Sequence, residues 1–267
     1  MKKNLIKLAA VASLLSFGAS AQADLVIDLF NTPQSLISDN TLGDGGIWAT
    51  EAGSAGDTSI IGGYRDLYVE KLSNFGSPTN NDTGLVAKAA VNNFGYLTFS
   101  TDTNTTGRGI VRWDGVGTNT SGLNFGMGDK DLSSFANFEL LTIFSDQGFT
   151  FVLEAYTDAT HWSRIALTSN AHNAPDPGTP SYINIGAFLL CGANVPGVGS
   201  VTCASGTDAV NLEHVNALQA IIDPLGGTVS VDLTLNQITA VPEPGSLALA
   251  GLGLFSAFAA SRRRKST

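Results

Sequence analysis

The sequence has few of the residues that carry catalysis. Its three histidines are scattered, and none stands in an H-E-x-x-H or H-x-H pattern, so a zinc hydrolase has no support. It also lacks the G-x-S-x-G segment of α/β-hydrolases. Glu139, Glu154 and Asp158 are carboxylates that could pair for glycoside hydrolysis, but in so acidic a chain such pairs arise by chance. The sequence therefore predicts a protein that is not an enzyme.

Basic residues are also scarce in the body of the chain. Between residues 24 and 241, 22 acidic residues stand against 7 basic ones, a net charge of −15. Nucleic-acid binding depends on Lys and Arg that neutralise phosphates, so this balance argues against it, and against anionic membrane surfaces. An acidic body is compatible with divalent cations and with neutral or cationic glycans.

The sequence has two cysteines, Cys191 and Cys203, twelve positions apart among turn-forming residues. No second Cys or His pair stands near them, which argues against a metal site. In an exported chain, this arrangement predicts one disulfide that closes a surface loop. Two free thiols are the alternative.

The N-terminus has the three parts of a secretory signal peptide. Lys2, Lys3 and Lys7 form a basic region, residues 8–19 form an apolar run, and Ala21-Gln22-Ala23 fits the small-residue cleavage pattern. We predict cleavage by signal peptidase after Ala23, so residues 1–23 take no part in the fold.

The C-terminus has a second tripartite signal. Pro242, Glu243 and Pro244 precede residues 245–261, which contain no charged side chain, and a basic end follows: Arg262, Arg263, Arg264 and Lys265. As a helix, the apolar segment would be about 26 Å long, at the short end of what spans a bilayer. The basic end is of the kind that stays cytoplasmic.

This tail resembles the PEP-CTERM sorting signal of Gram-negative bacteria. The resemblance implies that an exosortase recognises Pro242, Glu243 and Pro244 and removes the helix, and that the protein reaches the cell surface or matrix together with exopolysaccharide. A plain C-terminal anchor is the alternative. The chain then divides into a signal peptide (1–23), one domain (24–240) and a sorting signal (241–265).

The sequence of the domain predicts an all-β fold. Residues alternate between apolar and polar, and turn residues recur. The predicted strands are residues 25–30, 64–70, 84–91, 96–100, 109–113, 138–144, 149–156, 162–168, 182–188, 217–223 and 228–235. We expect hairpins between 138–144 and 149–156, and between 217–223 and 228–235, where Gly226-Gly227 marks the turn. These features predict an antiparallel β-sandwich of jelly-roll type.

Gly62-Gly63-Tyr64-Arg65-Asp66 is the most patterned stretch of the body. Because strand neighbours face opposite sides, Arg65 and Asp66 need separate partners. The stretch is similar to a Gly-Gly-x-Arg-Asp segment of sandwich-type PEP-CTERM proteins, which has no known activity. The alternative is a structural turn in which Arg65 binds buried carbonyls or a carboxylate.

Two acidic loops are candidate Ca²⁺ sites. Asp102 and Asn104 open like a calcium loop with Gly107 in sixth place, but Trp113 stands where an EF-hand needs Glu. A simpler site would join Asp102 and Asn104 to a partner such as Asp114. Residues 126–131 form the other acidic loop. Solvated turns are the alternative reading of both.

Aromatic side chains suggest glycan binding, because their faces can stack on sugar rings. Trp48, Trp162 and Tyr64 are the candidates, whereas Trp113 alternates in register with Val111 and is predicted to be core. The leading hypothesis is a non-enzymatic surface protein associated with exopolysaccharide. A secreted polysaccharide hydrolase or lyase and a purely structural surface protein are the alternatives.

Overall fold

Apolar residues at every second position place the end of the body in a long strand, β17 (Asp232–Val241), at the centre of a sheet. Leu233 and Leu235 of this strand point into the core, and Asp232 and Thr234 alternate with them on the other side. The computed structural model describes residues 22–49, 52–75, 83–88, 95–117, 122–173 and 178–243. Within these ranges the chain forms β-strands, two short 3₁₀ segments (Ile61–Gly63 and Ile185–Leu189) and connecting turns.

The strands of the described residues, in chain order, are β1 (Leu25–Asp28), β2 (Gln34–Asp39), β3 (Ile47–Trp48), β4 (Ala52–Gly53), β5 (Tyr64–Asn74), β6 (Thr83–Lys88), β7 (Tyr96–Thr101), β8 (Thr105–Trp113), β9 (Asn137–Ser145), β10 (Thr150–Tyr156), β11 (Trp162–Thr168), β12 (His172–Asn173), β13 (Thr179–Asn184), β14 (Asn194–Val195), β15 (Gly199–Cys203), β16 (Ala217–Ile222) and β17 (Asp232–Val241).

These strands form two antiparallel sheets. The first has the order β12-β9-β17-β7-β6-β2, with β1 also paired to β17 and β13 to β9. The second has the order β14-β15-β11-β10-β16-β8-β5-β3, with β4 beside β5. One hydrophobic core fills the space between them, with Phe99 and Leu233 from the first sheet and Trp113 and Leu153 from the second. The predicted all-β class and antiparallel sandwich are confirmed, while the jelly-roll topology stays a prediction.

The N- and C-terminal ends of this sandwich lie side by side. β1 pairs with the last residues of β17, and Leu25 is the register partner of Ala240. Asp24–Val241 forms one compact unit. On either side of it the structure describes residues 22–23 and 242–243, which lie in neither helix nor strand, and Ala23 is exposed.

Several predicted features lie outside the described residues. They are the signal peptide up to Ala21, the apolar segment 245–261, Pro244, Arg262, Arg263 and Arg264. Within the part of the chain that is described, no helix has the length and apolarity that a membrane span requires.

Both predicted hairpins are wrong. β9 and β10 are consecutive, but β9 lies in the first sheet and β10 in the second. In the same way, β16 pairs with β8 and β10, while β17 crosses to the other sheet. The turn residues in both places connect the two sheets, because each strand of the pair buries its apolar face in the core from the opposite side.

Some strands lie where no strand was predicted. β2 lies between the predicted strands 25–30 and 64–70, and β12, β14 and β15 lie outside every predicted strand. Most of these strands are short, and β2 contains only two buried residues, Gln34 and Asp39, both polar. β12 and β14 have two residues each and β2 buries no apolar residue, so these three show no apolar alternation, whereas β15 does, with Val201 and Cys203 buried. The predicted strand 182–188 is in fact the end of β13 followed by a 3₁₀ segment.

The predicted disulfide is confirmed. Cys191 follows the second 3₁₀ segment and Cys203 ends β15, with their Cα atoms 5.4 Å apart. Cys203 is buried and packs in the core with Phe188. The bond therefore attaches the edge of the second sheet to the turn that precedes it.

Replacing both cysteines by alanine should lower the free energy of unfolding by about 3 kcal/mol or less, since the closed loop is short. Urea unfolding of the C191A/C203A variant measures this loss, and wild-type protein in reductant should show a similar one. Equal unfolding midpoints for oxidised and reduced protein would show that the bond does not stabilise the fold.

Candidate functional site

The candidate site is the outer face of the second sheet, the side turned away from the core. Side chains alternate along each strand, so Glu154 and Tyr156 point outward where Leu153 and Ala155 point inward. By the same alternation Tyr64, Asp66 and Tyr68 of β5 share this face. The outer face therefore carries residues of five central strands, with β3 at its edge.

A row of polar side chains crosses this face, one from each strand in direct register. The polar row consists of Arg164 (β11), Glu154 (β10), Gln219 (β16), Arg112 (β8) and Asp66 (β5).

Hydrogen bonds join the polar row into a network. Arg164 Nη2 lies 3.0 Å from Glu154 Oε1, and Gln219 Nε2 donates to Glu154 Oε2 at 2.9 Å. At its other end, the Gln219 amide oxygen accepts from Arg112 Nε at 3.0 Å. Burial lowers the pKa of Arg112, and the negative charges of Asp114 and Asp66 partly offset this decrease. Glu154, Gln219, Arg112 and Asp66 are all buried, so the row is a rigid network under the surface of this face, and Arg164 is its solvent-accessible end.

A second, apolar row runs beside the polar one. Its members are Val152, Ile221, Ile110, Tyr68 and Trp48, again in direct register. Trp48 is half-buried, with its ring centroid 4.8 Å from that of Tyr68. The Arg112 guanidinium lies 4.2 Å from the Trp48 centroid, which is cation–π geometry. Trp48 is thus fixed on the outer face at the end of the apolar row, where Arg112 joins it to the polar row.

An aromatic cluster lies at one end of the face. The Tyr156 ring centroid is 6.1 Å from that of Trp162 and 6.3 Å from that of Phe125. Burial, with a contribution from Glu154, raises the pKa of Tyr156, so the hydroxyl stays protonated and donates to Glu154 Oε2 at 2.6 Å. The cluster is therefore attached to the polar row. Trp162 and Tyr156 are half-buried and Phe125 is 37% exposed, so the cluster reaches solvent.

Arginine is concentrated on this face. The body has four arginines, and all but Arg65 project from the outer face. Two of these pair with a carboxylate: Arg164 pairs with Glu154, and Arg108 Nη2 lies 2.6 Å from Glu70 Oε2. Arg112 instead donates to Gln219 and to the Gly122 carbonyl. The face thus combines donors, acceptors and aromatic surface without an excess of positive charge.

The structure places all three predicted glycan-stacking residues on this one face. Trp162 lies in the aromatic cluster, Trp48 at the β3 edge, and Tyr64 is half-buried at the start of β5. Trp113 is fully buried in the core, as expected. Sequence reasoning missed Phe125, Gln219 and the three outer arginines, because their importance depends on the order of strands in the sheet.

The Gly-Gly-x-Arg-Asp segment is built into the sandwich. Gly62 and Gly63 have φ of 70° and 86°, and a Cβ on Gly63 would stand 2.4 Å from the Ser54 carbonyl oxygen. Only glycine fits this turn without strain. The turn directs Arg65 into the core and Asp66 onto the outer face.

Arg65 is fully buried and forms an ion pair with Asp28. Its Nη1 lies 2.9 Å and 3.0 Å from the two carboxylate oxygens, and its Nε donates to Gln34 Oε1 at 3.1 Å. Nη2 donates to the Thr32 carbonyl. Trp113 Nε1 also donates to Asp28, at 2.8 Å. This cluster joins β1 to β5 and β8, which supports the structural interpretation of the segment.

The predicted Ca²⁺ ligands do not come together. Asp102 and Asn104 precede β8, whereas Asp114 follows it, and a nine-residue strand spans about 30 Å. Asp114 instead accepts from the backbone N–H of Val116 and of Asn124, and so closes the loop between them. Among the described residues, no group of three or more His, Cys, Asp or Glu side chains is arranged to hold a metal ion.

The remaining acidic candidates are also separated. In the 126–131 loop Met127 is buried, and Asp129 is bonded to Asn216. Glu139 lies in the first sheet and Glu154 in the second, so they do not form a pair of catalytic carboxylates. Asp158 accepts from its own turn at Thr160 and His161.

Comparison with protein families gives one match, to the PEP-CTERM protein-sorting motif at residues 240–264. The sorting motif predicted at the end of the chain is thereby confirmed. The match covers this segment alone and leaves the body unassigned. A search of curated proteins gave no match.

Solved structures give only distant likenesses. The solution structure of CtCBM11 has a TM-score of 0.36 and 10% identity, over 85% of this chain and 99% of that one. A family 11 carbohydrate-binding module from Clostridium thermocellum, in complex with a β-1,3-1,4-mixed-linked tetrasaccharide, has a TM-score of 0.30 and 7% identity over 79% and 96%. The agarase AgWH50C has a TM-score of 0.29 and 10% identity over 84% and 25%. Likenesses this weak support no conclusion about function.

Proposed function

We propose that the protein is exported, processed by an exosortase and delivered to the cell surface, where its jelly-roll body binds glycan without cleaving it. The family match at residues 240–264 supports the sorting part of this proposal. Signal peptidase cleavage after Ala23 and a transient C-terminal membrane helix complete the route. The outer face of the second sheet supports the binding part.

The single observation that carries the binding proposal is the aromatic cluster beside the polar row. Trp162 and Arg164 lie two positions apart on β11, so an aromatic face and a guanidinium project from the same side of the sheet. The Arg164 side chain is 38% exposed. A sugar ring offers apolar C–H faces and equatorial hydroxyls, which match such a combination of stacking surface and fixed hydrogen-bonding groups.

Charge favours a neutral glycan over an acidic one. The body carries a net charge of −15, and a polyanion would approach it against this repulsion. Two arginines of the outer face already have carboxylate partners, so an acidic sugar would have to displace Glu154 from Arg164 or Glu70 from Arg108. A neutral polysaccharide needs only hydrogen bonds and stacking.

Replacing Trp162 by alanine should weaken glycan binding about tenfold or more, because buried tryptophans dominate such interfaces. The measurement is co-sedimentation of the Asp24–Val241 unit with neutral polysaccharides and with the exopolysaccharide of the producing bacterium. Binding to neutral chains should change little with salt concentration, and alginate should bind weakly.

Tyr182 offers a matched control, because it is 52% exposed and lies on β13 of the other sheet. The Y182A variant should bind like wild type. Equal loss in both variants, or equal binding in all three proteins, would contradict placement of the site on the outer face.

The same samples separate the alternative functions. Release of reducing ends or unsaturated products would indicate a hydrolase or lyase. Absence of retention on every polysaccharide, with altered matrix cohesion in a deletion strain, would favour a purely structural surface protein.

A further inference from the structure

A cavity of about 380 Å³ opens between the two sheets, near their β13 and β14-β15 edges. Its walls come from the inner faces of both sheets, with Leu233 and Leu235 on one side and Phe149 and Phe151 on the other. The 169–172 segment and the 197–198 turn border it. None of the residues that form the polar row, the apolar row or the aromatic cluster lines it, so it is separate from the proposed glycan site.

The lining of this cavity has an unusual composition for so acidic a protein. Among the described residues that line it, none is Asp, Glu, Lys or Arg. The interior wall is apolar, while Thr142 and Ser181 contribute hydroxyls. A charged ligand would lose its hydration in this cavity and find no ion partner among the described lining residues, which is costly. The volume is within the range of small-molecule sites.

His172 provides one unsatisfied polar atom at the cavity. Its backbone is held in the first sheet, where it pairs with Ser145 of β9. Its Nε2 is buried and has no hydrogen-bond partner within the part of the chain that the structure describes. A buried nitrogen of this kind is costly unless a water or a ligand bonds to it.

We propose that this cavity binds a small uncharged amphiphile, a molecule with an apolar body and one hydrogen-bonding head. The apolar body would lie between the leucines and phenylalanines of the two sheets, and the head would bond to His172 Nε2 after the imidazole ring turns toward the cavity, because that nitrogen is closed off in this structure. Alkyl alcohols and neutral aryl amines have this chemistry. Fatty acid anions do not, because the described lining residues supply no cation.

The test uses the fluorescence of 1-aminoanthracene, a neutral probe, with the Asp24–Val241 unit, which contains both sheets complete. We expect saturable enhancement with one site per chain, displacement by 1-octanol, and no displacement by octanoate at the same concentration. The proposal would be overturned if the fluorescence showed no saturable enhancement, or if octanoate displaced the probe as well as 1-octanol does. The cavity would then be one that holds water.

Two kinds of variant locate the ligand. V198W fills the cavity from its rim and should abolish the enhancement, and L167W does so from the inner face of β11 if V198W fails to fold. H172F keeps the ring but removes the nitrogen, and should weaken displacement by octanol about three- to tenfold. H214F makes the same change at an exposed histidine far from this lining and should behave like wild type.

Enhancement that survives both V198W and L167W would place the probe elsewhere and overturn the assignment. An H172F variant equal to H214F would remove the role of Nε2. Because W162A leaves this cavity untouched, glycan binding and amphiphile binding can fail independently.

Discussion

Replacement of Arg65 by methionine is expected to lower the free energy of unfolding by about 3–5 kcal/mol. The side chain is fully buried, and its loss leaves the Asp28 carboxylate in the core with only neutral donors such as Trp113 Nε1. Domains of this kind have free energies of unfolding of about 5–15 kcal/mol, so the expected loss is a large fraction of the total. Urea unfolding at neutral pH measures the change.

The loss in R65M should become smaller as pH falls from about 7 to about 4. Burial already raises the pKa of Asp28 in the native protein, and Arg65 acts against that rise. Without Arg65 the folded-state pKa stands further above the unfolded value. A group of this kind favours the fold below its unfolded pKa, and this contribution is lost as pH rises through the folded pKa. Protonation therefore removes the unpaired charge.

Arg108 provides the control for Arg65, because it lies on the same sheet with a 36% exposed side chain and a salt bridge to Glu70. R108M should cost less than about 1 kcal/mol. The double variant D28N/R65M should recover part of the R65M loss, since it removes the unpaired charge. An R65M variant as stable as R108M would show that the buried pair does not hold β1 to the second sheet.

Replacement of Pro242, Glu243 and Pro244 by alanine is expected to retain the protein at the inner membrane. Without processing, the apolar segment 245–261 stays attached, and Arg262, Arg263 and Arg264 keep its end on the cytoplasmic side. The body should fold normally, because β17 ends at Val241, before the first substitution. Cell fractionation and the length of the C-terminus measure the effect.

A chain that ends at Val241 is the matched control. It has neither the recognition residues nor the apolar segment, so it should be exported and then found free of the membrane. Normal surface delivery of the triple-alanine variant would contradict processing at this position. Retention of the control would instead show that the body itself binds the membrane.

The local sequence pattern was sufficient to predict individual strands and the disulfide. The prediction of 162–168 coincides with β11, and 217–223 differs from β16 by one residue. Cys191 and Cys203 are close in sequence, so the chain between them limits their separation. These features depend on alternation and short loops, which the sequence shows directly.

Strand order could not be read in this way. Alternation shows that a strand has one buried face, but a strand in either sheet of a sandwich buries its face in the same core. Gly226-Gly227 therefore looked like a hairpin turn, although the chain crosses between sheets there. The polar row also depends on strand order. Arg112 and Gln219 are 107 positions apart in the sequence and meet only because β8 lies beside β16.

Arg65 is an intermediate case. Strand alternation correctly predicted that Arg65 and Asp66 face opposite sides of the sheet. A buried acceptor for the Arg65 guanidinium was one of the two interpretations of the segment. Its partner, Asp28, lies 37 positions earlier, in a strand whose place is fixed by pairing with β17 rather than with β5. Nothing in the local sequence of either residue indicates that pairing.

The position of β17 also determines how the body resists mechanical force. This strand pairs with β9 along most of its length, with β7 near its start and with β1 near its end. Tension on the chain beyond Val241 pulls along the axis of β17. All three ladders are then loaded in shear at once, and none can be opened one hydrogen bond at a time. A load applied beyond Val241 is therefore shared by β1, β7 and β9.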